Sequence, residues 1–200
     1  MAARGAARRK REDTPGQILE TALRLAEESG WEGLRLRHVA EEMGVGLDEL
    51  HGDFRDADAI ADTWFNGAIE AMLAPTGSGF VRLPARQRVC DLMLRWFDAL
   101  AGHRRVTGQM LATKLYPAHP HHWVPMIFNL SRLIQWLRDA AALDAGGRRR
   151  QIEEVGLTVL FLATLAVWLN DDSAGQERTR RFLERRLATA DAAMGRLFRT

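Results

Sequence analysis

The chain has 200 residues, enough for one sizeable core or for a small module beside a larger one, without disulfides or a structural metal. Hydrophobic residues make up 46% and charged residues 27%, which excludes a largely disordered chain. The lone Cys90 excludes an intramolecular disulfide and points to a reducing, cytoplasmic compartment, while the net charge of +2 says little by itself about partners.

The distribution of charge says more. Arg4, Arg8, Arg9, Lys10 and Arg11 crowd the N-terminus with no acidic residue among them. Residues 1–13 therefore read as a flexible basic arm, in which Arg8, Arg9, Lys10 and Arg11 are candidate contacts for a nucleic-acid backbone. No apolar run follows, so the segment does not read as a secretory signal.

A first helix is expected to start at Thr14-Pro15-Gly16-Gln17, with Thr14 as N-cap, Pro15 in the first turn and Gln17 closing a capping box. Ile18, Ala22, Leu25 and Ala26 give its apolar stripe, and Gly30 can take the left-handed conformation that ends it. Leu36, Val39, Ala40 and Met43 predict a second helix of about two turns closed by Gly44, and Leu47, Leu50 and Phe54 predict a third with one inward face. Asp56 is placed to cap a fourth, whose apolar face is read as Ile60, Trp64, Ile69 and Leu73 and which stops at Pro75-Thr76-Gly77-Ser78-Gly79. Five longer helices are expected over 85–101, 104–116, 122–143, 148–170 and 175–198. With no strand pattern, the reading is an all-α chain of about nine helices: a helix-turn-helix domain over 14–60 and a helical bundle over 61–200. The apolar stretch Val155–Leu169 is shorter than the roughly 20 residues a membrane span needs, and is read as a buried helix.

Motifs for catalysis are missing: there is no nucleophile elbow, phosphate-binding loop, dinucleotide fingerprint or HExxH, so neither enzyme activity nor a cofactor is expected. His119, His121 and His122 sit among prolines with no zinc spacing and read as a solvated loop, not a metal site.

Ile18-Leu19 with Ala22, then Gly30-Trp31, Val39-Ala40, Gly44-Val45, Leu50 and Phe54, stand at the spacing of the TetR family, and residues 18–73 resemble its N-terminal module. That resemblance implies a DNA-binding transcriptional regulator, in the commonest case a repressor, in which the third helix enters the major groove of double-stranded DNA. It also implies that the bundle dimerises and binds a small apolar ligand. The candidate DNA contacts beyond the arm are Arg35, Arg37, His38, Leu47, Asp48, Glu49 and His51. They depart from the family pattern: Leu47, Glu49, His51 and Gly52 stand where Lys, Thr, Tyr and His are common, and Ala57 replaces a usual lysine. Over 47–58, Asp48, Glu49, Asp53, Asp56 and Asp58 face only one cation, Arg55, an unfavourable balance beside phosphates.

Candidates to line the ligand pocket are Met93, Trp96, Phe97, Met110, Phe128, Trp136, Phe161 and Trp168, large and adaptable side chains spread over several helices. The helices over 148–170 and 175–198 are expected to form a two-fold homodimer.

The C-terminal half carries a second resemblance. Trp168-Leu169-Asn170-Asp171-Asp172-Ser173, Thr179, Phe182-Leu183 and Arg185-Arg186-Leu187 are similar to the closing segment of the lipid-binding accessory proteins of ubiquinone biosynthesis, which have a TetR-like fold. That likeness implies the alternative function: an isoprenoid- or lipid-binding accessory protein without DNA binding, with peripheral membrane contact through the basic last helix.

Overall fold

The computed structural model describes residues 2–115 and 120–198, with side chains at 14–115 and 127–198. Nine α-helices lie among them, and no strand: α1 (Ala2–Ser29), α2 (Leu36–Met43), α3 (Leu47–Asp53), α4 (Ala57–Leu73), α5 (Ala85–Leu100), α6 (Arg104–Lys114), α7 (Pro120–Ala140), α8 (Gly147–Trp168) and α9 (Glu177–Leu197). They form two units, Met1–Gly67 with His103–Leu115, and Ala68–Gly102 with Tyr116–Thr200. The expected division at residue 60 is displaced, because α6 packs with the first unit and not with the bundle.

In the first unit the apolar spacing on α1 buries Ile18, Ala22, Leu23 and Ala26 against Val39 and Ala40 of α2, Leu50 of α3 and Val106 and Met110 of α6. Gly30 ends α1 at φ 77 and Gly44 ends α2 at φ 66, left-handed positions where a Cβ is costly. The Gly44 N–H then returns to the carbonyls of Ala40 and Glu41, which closes the short turn into α3.

One helix start and one apolar face differ from expectation. The backbone is helical from Ala2, so Arg8, Arg9, Lys10 and Arg11 belong to α1 and not to an irregular arm, and Pro15 lies inside the helix. Ala2, Ala3, Ala6 and Ala7 with the flanking arginines are strong helix formers and carry the helix past the one hydrogen bond the proline cannot make. The apolar face of α4 is also shifted: Ile60, Ala61, Ala68 and Met72 are buried, while Leu73 points outward. Its cap is as expected, with the Ala59 N–H donating to Asp56 Oδ1 at 2.7 Å.

Polar ties bind α6 to its unit. Gln109 Oε1 accepts from the Trp31 backbone N–H at 2.8 Å, and Trp64 Nε1 donates to Thr107 Oγ1 at 2.9 Å. Glu27 of α1 pairs with Arg105 at 2.9 Å and approaches His103 Nδ1 at 3.3 Å. Lys114 reaches Asp62 at 3.1 Å from a largely enclosed position.

The second unit is built on α5, whose Val89, Leu92, Met93, Trp96, Phe97 and Leu100 are all buried. Two buried or half-buried arginines fasten its turns. Arg88 donates to the carbonyls of Leu83 and Ala141, and Arg138 reaches from α7 to Glu153 and Glu154 of α8 and to the carbonyls of Leu143 and Ala145. α8 is the one helix among the described residues long and apolar enough to cross a membrane by length and composition; it packs on α9, α7 and α5 along one side, and the helix expected to be buried over Val155–Leu169 leaves Val155, Val159 and Leu162 exposed in the single chain.

The α8–α9 turn rests on Asp171, which is fully buried and accepts from the Ser173 N–H (3.0 Å), the Thr179 N–H (2.8 Å) and the Thr179 hydroxyl (2.6 Å). Burial by itself pushes its pKa up, but the side-chain and backbone hydrogen bonds from Ser173 and Thr179 outweigh this and hold the carboxyl well below its usual range. The stabilisation is therefore complete above the unfolded-state pKa of about 3.9 and is lost as pH falls toward the depressed folded value. Asp171→Asn is expected to lower the urea midpoint at pH 7, with the wild-type advantage shrinking at about pH 2.5. An advantage independent of pH would contradict this assignment.

Candidate nucleic-acid interface

Leu50 and Phe54, four residues apart, are the two anchors of α3, at 1% and 4% exposure. With that face committed inward, Asp48, Glu49, His51, Gly52 and Asp53 are all exposed. Leu47 is 54% exposed, although its spacing from Leu50 suggested an inward position; it stands in the first turn, beyond the reach of the core. Asp48 and Glu49 occupy that same first turn, where carboxylates complement the helix dipole and also take the place an incoming phosphate would seek.

Arg37 and His38 on α2 are exposed. Arg35 is exposed as well, but its guanidinium turns back to the carbonyls of Glu32 (2.8 Å) and Leu34 (3.0 Å) and so holds the loop before α2. Arg24 on α1 joins Glu42 of α2 at 2.6 Å, fixing the two helices beside this face. The side chains of Arg8, Arg9, Lys10 and Arg11 lie outside the described residues, as do His119 and the side chains of His121 and His122. Among the described residues, no group of three or more His, Cys, Asp or Glu is arranged to hold a metal ion.

The eight residues expected to line one pocket do not converge. Trp96, Phe97, Phe161 and Trp168 touch each other directly: Trp96 stands edge-on to Phe161 at 5.0 Å between ring centroids, and Phe97 stacks on Phe161 at 5.5 Å. Phe97 also lies 5.5 Å from Trp168, and Met93 is buried on the same helix. Met110 belongs to the core of the other unit. Phe128 and Trp136, on α7, are 60% and 52% exposed. The Trp168 indole N–H donates to Gln176, which donates in turn to Asp98 at 2.7 Å, so this cluster has polar as well as aromatic partners.

The comparisons with known proteins match this architecture. The TetR transcriptional regulator from Nitrosomonas europaea ATCC 19718 is 38% identical to the chain, with a TM-score of 0.80 over 90% of this chain and 98% of its own. The chain belongs to the TetR family. A TetR transcriptional regulator from Rhodococcus sp. RHA1, 17% identical with a TM-score of 0.56 over 87% of this chain and 94% of its own, shares the fold. The family model described as COQ9 matches residues 154–194, the segment whose likeness to ubiquinone-biosynthesis accessory proteins is carried by Trp168 to Leu187. Among curated proteins, none matches the chain.

Several ties of this TetR-family chain were not legible beforehand. Gln109, Glu27 and Arg105 are ordinary surface residue types, and only the fold brings Gln109 to Trp31 and Arg105 to Glu27 across 78 positions of sequence. The ring cluster was legible as apolar, but spacing does not tell rings that fill space from rings that line it. Phe97→Ala is expected to cost about 3–5 kcal/mol in urea unfolding, against less than about 1 kcal/mol for Phe128→Ala or Trp136→Ala. Equal losses at all three positions would return them to one buried environment.

Proposed function

We propose that this chain is a dimeric, cytoplasmic transcriptional regulator that binds double-stranded DNA through α2 and α3 and responds to a small apolar ligand held by the second unit. The role assigned is binding, not catalysis. The observation that carries this reading is the 38% identity to a TetR transcriptional regulator over nearly the whole of both chains. Arg37 and His38 of α2 supply exposed cationic and hydrogen-bonding groups, and the α1 arginines and Lys10 supply further positive charge. Leu47, Asp48, Glu49 and His51 are the side chains presented for base contact; a carboxylate there can accept from a cytosine amino group. Of the eight ligand candidates, Met93, Trp96, Phe97, Phe161 and Trp168 are the ones the second unit holds together, on the reading that an effector displaces packed rings.

The dimer face on this reading is α8, with α9 beside it. Val155, Val159, Leu162 and Ala166 recur at helical spacing and are exposed in the single chain, Val155 at 66% and Val159 at 62%. A monomeric mass at micromolar concentration would remove this part of the proposal.

A second reading, a lipid- or isoprenoid-binding accessory protein of ubiquinone biosynthesis without DNA binding, is favoured by the match of residues 154–194 and by the acidic face of α3. Mass spectrometry of organic extracts separates the two: copurified isoprenoids together with no salt-sensitive DNA binding support the accessory protein.

Arg37→Ala tests the regulator. Its affinity for random and genomic duplexes should fall uniformly, and the slope of log affinity against log salt should flatten by about one. Arg35→Ala should weaken binding too, with a loss of stability from the released loop carbonyls. A salt slope unchanged in Arg37→Ala takes α2 out of the interface.

A further inference from the structure

α9 starts from an unusual backbone conformation. The helices α2, α3 and α8 are each preceded by an extended residue, Arg35, Gly46 and Gly146, which is the usual geometry at that position. Gln176, which precedes α9, is left-handed instead, at φ 57 and ψ 36. A residue with a Cβ disfavours that region and persists there only where its surroundings hold it. Among the described residues the one other left-handed residue besides glycine, Ala142, has a local cause. It stands just past the end of α7, where a left-handed residue closes a helix, and its N–H returns to the Asp139 carbonyl. Gln176 opens a long helix, so that cause does not apply to it.

What holds Gln176 is its side chain. The residue is buried and its amide is engaged at both ends: Oε1 accepts the Trp168 indole N–H, and Nε2 donates to Asp98 Oδ1 at 2.7 Å. These partners come from the end of α8 and the last turn of α5. Turning φ to an ordinary negative value re-aims the Cα–Cβ bond, so the two hydrogen bonds and the left-handed backbone depend on each other. Trp168 is fixed in turn by the rings: it is fully buried and 5.5 Å from Phe97, which stacks on Phe161. The amide is thus a polar link between the ring cluster and α9. Asp171 bonds Ser173 and Thr179 on either side, which gives the turn an anchor of its own and lets Gln176 change conformation within it.

We propose that Gln176 is a conformational latch between the ring cluster and the first turn of α9. With the Trp168 indole in place, the amide is satisfied and the left-handed backbone is held. When the indole moves away, the buried amide carbonyl loses its donor and the disfavoured backbone loses its support, so Gln176 leaves the left-handed region and the first turn of α9 loosens. This rests on the reading that an effector displaces the packed rings, and it names what that displacement does: it reaches α9 through one side chain.

The test is amide hydrogen exchange, followed by mass spectrometry, on the full-length chain and on Trp168→Phe, which keeps a ring and removes the N–H. Exchange over residues 176–181 is expected to be at least about tenfold faster in the variant, with wild-type rates kept in α7 and in the middle of α5. Asp98→Ala, an exposed position outside the ring cluster, should give the same local change at about threefold, and it decides the question if Trp168→Phe does not fold. Adding Gln176→Gly to either variant should return residues 176–181 to within about twofold of wild type, because glycine takes the left-handed conformation unaided and leaves no buried amide. A merely structural role for the side chain predicts the reverse, further loosening when it is lost. Three outcomes overturn the proposal: wild-type exchange over 176–181 in Trp168→Phe, or in Asp98→Ala where that variant stands in; faster exchange spread evenly over the second unit; or no recovery with glycine. None of these measurements involves DNA. Absence of duplex binding by the wild-type chain would therefore remove the regulator reading and leave the latch standing.

Discussion

The burial of Leu50 and Phe54 is the constraint on which the first unit depends. α3 is only seven residues long, too short to be stable from its own hydrogen bonds, and these two side chains hold it on α1 and α2. Once they are committed, the orientation of every other residue follows. Asp48, Glu49, His51 and Asp53 must face out, because a turn of the helix that hid them would expose Leu50 and Phe54. The electrostatic character of the outward face of α3 is thus fixed by packing. It is acidic at the N-terminal end of α3, and exposed cationic or basic groups beside it are Arg37 and His38 of α2 and Arg55 after α3.

The same unit includes α6, tied to α1 and α4 by side chains with different chemistry. The Gln109 carbonyl takes the N–H of Trp31 just after α1 ends, Glu27 takes Arg105, and Thr107 takes the Trp64 indole. A displacement of α6 therefore acts on the end of α1 and, through the shared core of Val39 and Ala40, on the base of α2. These contacts give the helix-turn-helix an extra support that the short α2 and α3 do not supply themselves.

Much of this was legible in the sequence because local chemistry decides it. Gly30 and Gly44 end helices since only glycine enters the left-handed region easily, and Asp56 caps α4 as its position before an apolar run suggests. What was misread involves competition between a local signal and its surroundings. Thr14 and Pro15 make a sound helix start, yet alanine and arginine before them favour helix strongly enough to continue through it. The pocket residues show a different limit: composition identifies Met110, Phe128 and Trp136 as apolar, but which body each joins, or whether it joins any, depends on contacts distant in sequence.

Two resemblances meet in this chain, and the carboxylates of α3 decide how they are reconciled. In the regulator account, Asp48 and Glu49 oppose the backbone attraction from neighbouring cations without abolishing it, which leaves affinity low and sensitive to salt. The direct measurement is the affinity of Asp48→Asn/Glu49→Gln for a random-sequence duplex, by fluorescence anisotropy at low ionic strength, beside the wild-type chain. The account predicts tighter binding of about tenfold for the variant, with its oligomeric state unchanged. Equal affinity, or no association by either protein, would mean that α3 does not approach DNA.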